Sequence, residues 1–249
     1  TIPAFLQTEL TEPGRSVQVE NFGERGHVAT QSLIRLILEL QAGRVPESVI
    51  FYHGVNDVAV ALAGDAGSHF GAAHIANRLE RPFSTWLNDT RLLKLLRPFL
   101  PAPKVHLEAP SDEDLTRLVN AIVDNYQGTY RILEGLSNEY GFEVFCFWQP
   151  YRALSQDPRS LENLLADAAG LDRLLAATYG EIERRTDLLE HLDSLAGVLE
   201  PADEMAWVDQ VHLTPHGNRI VARAIASAMH RRSPEAASSI AETPLVDGP

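Results

Sequence analysis

Asp209 and His212 stand three positions apart near the C-terminal end of the chain and carry its strongest chemical signal. At that spacing on one loop, a carboxylate reaches the imidazole Nδ1. It then holds the tautomer whose Nε2 is free to take a proton from a nucleophilic hydroxyl. A second group, Gly54-Val55-Asn56-Asp57, comes directly after the apolar run Val49-Ile50-Phe51-Tyr52. An asparagine just past the end of a buried strand can aim its amide NH₂ at a developing oxyanion. A third, Asn21-Phe22-Gly23-Glu24-Arg25-Gly26, is a turn whose final glycine offers a backbone N–H with no side chain to block a substrate carbonyl. Each motif also has a plain structural reading: a local Asp–His ion pair, an Asx-turn or helix cap, and a strand-to-helix turn.

The rest of the chain must supply elements that hold these groups. Thr1, with proline in the first turn, starts a helix that Pro13-Gly14 ends. Residues 17–20 alternate like a strand, and residues 32–40 have helical period with Gly43 as the stop. Residues 48–52 are continuously apolar, the pattern of a central parallel strand. Residues 58–81 read as a long surface excursion, 83–100 as an amphipathic helix, and 101–110 as a proline-rich connection. Ser111 followed by three acids starts a helix that runs to about Tyr140. Residues 143–148 are the next buried strand, 149–160 a polar loop, and 161–189 a helix. Residues 205–208 form a short candidate strand, and Thr214-Pro215 caps a last helix ending near Arg231.

Strands that alternate with helices predict an α/β fold, a three-layer α/β/α sandwich with a parallel sheet. Sites in such sheets lie at the carboxyl ends of strands, where all three motifs fall. One domain is expected over residues 1–232, with 233–249 a disordered tail of small and polar residues. The formal net charge of -13 argues against a nucleic-acid partner. The single cysteine, Cys146, rules out an internal disulfide and sits in an apolar run where it reads as a core filler. No apolar stretch has the length of a membrane span, so membrane association is expected only through a segment ahead of Thr1.

Taken in order, the three motifs resemble blocks II, III and V of the SGNH/GDSL hydrolase superfamily. The longest match is Val208-Asp209-Gln210-Val211-His212-Leu213-Thr214-Pro215-His216-Gly217-Asn218, similar to the run that leads into that family's final helix. The resemblance covers residues 1 to about 231. It implies a flavodoxin-like sandwich and a serine esterase or acyl-transfer enzyme acting on small-molecule or carbohydrate esters, O-acetyl groups among them, without a cofactor. It also implies His212 as general base, Asp209 as its orienter, and Gly26 N–H and the Asn56 amide as oxyanion donors. His53 and Gln149, beside these blocks, are candidates to contact substrate or simply to satisfy the sheet edge.

The family's nucleophile block is absent. Ser16 precedes a strand instead of following one; Gly64-Asp65-Ala66 puts alanine in the serine position and in the wrong order; Ser68 has no strand to deliver it. The expectation is a nucleophile upstream of Thr1, at the end of a central strand whose place in the sheet is empty. As it stands, the chain is then inactive. The alternative is a binding or scaffold protein that has lost the serine. A metal site built from His212, His216, His53, Asp57 and Asp209 is the rival chemistry. It is disfavoured because Pro215 starts the helix, so the His212 and His216 pair does not share a helical face.

Overall fold

Two apolar runs and a three-residue segment build the sheet and set the direction of everything around it. In the computed structural model, which describes residues 1–11, 13, 16–24, 26–62, 110–152, 168–185, 192–199, 205–209 and 211–232, they are β1 (Ser48–His53), β2 (Glu143–Trp148) and β3 (Leu192–Ser194). All are parallel, in the order β1-β2-β3, with Ser48 opposite Glu143, His53 opposite Trp148, and Cys146 opposite Leu192. The helices are α1 (Ile2–Leu10), α2 (Ala29–Gln41), α3 (Val55–Val60), α4 (Asp112–Tyr140), α5 (Ala168–Arg184) and α6 (Pro215–Arg232).

Successive strand side chains point to opposite faces, and the core divides accordingly. Val49 and Phe51 join Val144, Cys146, Trp148 and Leu192 in one cluster, closed by Leu33 and Leu36 of α2, Ile122 and Leu133 of α4, and Leu174 and Ile182 of α5. Ile50 and Tyr52 join Phe145 and Phe147 in a second, closed by Leu6 of α1 and Val221 and Ile225 of α6. Helices thus cover both faces of a parallel sheet. α4 shows why these segments hold. Ser111 Oγ accepts the Asp114 N–H at 3.1 Å, and Asp112, Glu113 and Asp114 lie in the first turn, where the helix dipole favours negative charge.

Several expectations need correcting. Residues 17–20 alternate in exposure but form no ladder; the Val19 N–H instead donates to Gln7 Oε1 of α1 at 3.0 Å. Alternation alone cannot make a strand without a neighbouring backbone to bond. β1, read as a central strand beside an empty slot, is bonded along its β2 edge, and among the described residues no strand lies on its other edge. Its Val49, Ile50 and Tyr52 remain half-buried, whereas Phe145 to Trp148 of β2 are all buried. Residues 205–208 are not a strand: the chain turns back so soon that, among the described residues, a single antiparallel bridge forms, Trp207 to Leu213. β3 went unforeseen because three residues are too few for a period to register. α3 occupies the beginning of the expected surface excursion. The Gly64-Asp65-Ala66 turn, Ser68, the helix expected at 83–100 and the tail at 233–249 lie outside the described residues.

Candidate functional site

The dyad is built by a loop with little freedom. Thr214 donates its N–H to Ala206 O at 3.0 Å and its hydroxyl to Met205 O at 2.5 Å, while the Val208 N–H reaches His212 O at 2.8 Å. The loop is pinched shut where α6 begins. Gly217 makes this possible: a Cβ there would lie 2.3 Å from the Ala206 carbonyl oxygen. Inside the loop, Asp209 Oδ2 is 2.7 Å from His212 Nδ1, and Asp209 Oδ1 accepts the N–H groups of Val211 (2.9 Å) and His212 (2.8 Å). Partial burial would raise the Asp209 carboxyl, but those two N–H groups and the imidazole outweigh it and hold it below the ordinary carboxylate range. The imidazole is 66% exposed, and its Nε2 has no hydrogen-bond partner among the described residues.

The other candidates gather at the carboxyl ends of β1 and β2. Gly26 is exposed, with φ +77°, at the turn leading into α2. Asn56, half-buried in the first turn of α3, donates from Nδ2 to His27 O at 3.1 Å, which leaves its second amide hydrogen uncommitted. Gln149 follows β2; its N–H donates to His53 O at 2.8 Å, and its carbonyl accepts the Tyr179 hydroxyl at 2.7 Å. The backbone of Gly54, at φ +149°, admits only glycine: a Cβ would meet Tyr179 Oη at 3.0 Å and Gln149 Cγ at 3.2 Å. The three segments therefore touch at one point. His53 is only 8% exposed, and burial, with His27 nearby, pulls its pKa down to about 4, so its ring is neutral and has little surface to offer a ligand.

The dyad loop is anchored in the core on one face of the sheet. Ala206, Trp207 and Leu213 belong to the same cluster as Phe147 of β2 and Leu195, which follows β3. No hydrogen bond joins the dyad to Asn56 or Gly26 among the described residues. None of these residues forms a group of three or more His, Cys, Asp or Glu placed to hold a metal ion, and no described helix is long and apolar enough to cross a membrane.

Sequence reasoning passed over one residue. Asp57, named only as a possible ligand, is 2% exposed and accepts the Ala29 N–H through Oδ1 at 3.0 Å. Burial pushes its pKa up to about 7, against the opposing pull of the Ala29, Asp57 and Gly54 N–H groups. Its place straight after Asn56 was the available signal, but burial is a tertiary property. Comparison with family models and with characterised proteins returns no match.

Proposed function

We propose that this chain carries the base, the orienter and the oxyanion donors of a serine ester hydrolase or acyl-transfer enzyme of SGNH type, acting on small-molecule or carbohydrate acyl esters. The observation that carries the reading is the dyad. Asp209 is locked by two backbone donors of its own loop and bonded to Nδ1, which leaves Nε2 facing solvent as a proton acceptor. The two backbone donors are those of an Asx-turn, which fixes the carboxylate and leaves Oδ2 for the imidazole. In the reaction, His212 Nε2 takes the proton of a serine hydroxyl as it attacks the ester carbonyl. Asp209 stabilises the imidazolium, and the proton then passes to the leaving alcohol. The Gly26 N–H and the Asn56 amide stabilise the oxyanion in between. No step requires a cofactor.

Among the described residues one edge of β1 is open, and the serine would belong to a strand that fills it. Two observations support this: β1 is covered by helices on both faces but, among the described residues, bonded on one edge, and residues 17–20 keep strand-like alternation without a ladder. A parallel strand between them would complete a flavodoxin-like sheet and end at the same carboxyl edge as Asn56. The test is the chain extended upstream of Thr1 through its own codons, assayed for aryl-acetate hydrolysis and fluorophosphonate labelling beside the present chain. Turnover and labelling of an upstream serine, both abolished by His212→Ala or by loss of that serine, are the expected result. An extended chain that folds but neither turns over nor labels would leave a binding or scaffold role. Labelling of the present chain would direct attention to Ser68.

A further inference from the structure

The start of α2 lacks a cap of its own, and the structure supplies one from another part of the fold. The residue before the helix, Val28, has an extended backbone (φ -105°, ψ 166°) and a side chain that cannot accept a hydrogen bond. Gln31 Oε1 satisfies the Val28 N–H at 3.0 Å, but the next donor, Ala29 N–H, goes to Asp57 Oδ1, 28 positions away in α3. One residue earlier, Asn56 Nδ2 holds the His27 carbonyl. Consecutive side chains of α3 thus grip the backbone on both sides of Val28, directly after Gly26. Asp57 does this at a cost: its Oδ2 is buried with no hydrogen-bond partner among the described residues. A residue kept only for packing would be apolar here.

We propose that Asp57 is a positioning residue: by capping α2 from the neighbouring helix α3 it sets the conformation of the Gly26–Val28 turn and, through it, the direction of the backbone donor offered to substrate. Its catalytic consequence rests on the esterase reading above; its hold on the turn does not. Asp57 touches no reacting atom. Loss of its oxygen frees the Ala29 N–H and loosens the turn, whereas asparagine keeps an oxygen in place.

The carboxyl also reports on itself, because it titrates near neutrality. Among the described residues, the titratable groups that act on it from packed elements are Tyr126 of α4 and Tyr179 of α5, both held un-ionised by burial. At the end of β1, His53 stays neutral down to about pH 4, so above that pH it contributes no change of charge. His27 lies in the turn itself, 3.3 Å from Glu24, and His27→Gln serves as the control for that side chain.

The experiment follows backbone amides by NMR in the present chain. The Ala29 and Gly26 amide shifts of the wild type should titrate with a midpoint of about 7, should still do so in His27→Gln, and should not in Asp57→Asn. Ala29 exchange should quicken roughly tenfold in Asp57→Ala, the effect of about one lost hydrogen bond, and return in Asp57→Asn. In whichever preparation hydrolyses esters, Asp57→Ala should lower kcat by up to about a hundredfold with KM little changed, and Asp57→Asn should recover most of it. Amides that do not titrate in the wild type, or that titrate equally in Asp57→Asn, overturn the hold, and this reading needs neither a destabilised variant nor an active enzyme. A loosened turn with unaltered kcat overturns the positioning role alone. If no preparation hydrolyses esters, the esterase reading fails while the amide titration still decides the hold.

Discussion

Two buried groups in this fold titrate in opposite senses across the same pH range, which gives a sharp stability prediction. The Asp57 carboxyl rises from its ordinary 3.8 to about 7, so between those values the folded chain holds a proton that the unfolded chain has lost. Its contribution is fully present below pH 3.8 and is lost as pH rises toward 7. The His53 ring falls from 6.5 to about 4, so between those values the unfolded chain holds the extra proton and stability is lost as pH falls. Each slope is about 1.4 kcal/mol per pH unit. From about pH 4 to 6.5 they cancel, and the wild type should be nearly flat with respect to this pair. Asp57→Asn removes one slope and exposes the other: relative to wild type, stability should climb by about 3 kcal/mol between pH 4.5 and 6.5. His53→Gln should show the opposite trend of similar size, and the double variant should be flat again. Glu39, Asp114 and Asp209, whose carboxyls are lowered, act alike in all four proteins and drop out of the differences. Urea unfolding at half-unit pH intervals measures this directly. An Asp57→Asn curve parallel to wild type through that window would refute burial as the origin of the shift.

Other perturbations reach the site by different routes. Gly217→Ala puts a methyl group 2.3 Å from the Ala206 carbonyl oxygen; backbone meets backbone, so α6 must move, at a cost of about 1–3 kcal/mol, and thermal melts should show it together with loss of Thr214 N–H protection. His212→Ala removes a largely exposed ring and should leave the urea midpoint unchanged, while removing nearly all turnover from any ester-hydrolysing form of the protein; wild-type rates would refute the base assignment. Ser111→Ala deletes the cap of α4 and should cost about 1 kcal/mol by equilibrium unfolding. Leu133→Ala opens a cavity beneath α4 at a side chain 1% exposed and should cost about 2–5 kcal/mol in the same assay.

What the amino-acid order determined by itself is local. β1 and β2 were legible because six consecutive side chains in each are mostly apolar and β-favouring, and α4 and α6 because their caps, Ser111 and Thr214-Pro215, are written next to the helices they start. The Asp209–His212 bond was legible because three positions on one loop leave the two side chains within reach whatever the rest of the chain does. The remainder depends on residues far apart in the chain. Residues 17–20 have strand-like alternation but no ladder, because a strand exists only when another backbone lies beside it. Asp57 looks like an ordinary polar turn residue until α2, 28 positions earlier, brings its Ala29 N–H to the carboxyl and the surrounding helices exclude water. Burial and non-local hydrogen bonds arise only when distant segments pack, and for that reason only the tertiary structure could give Asp57 its altered acidity and its hold on the turn.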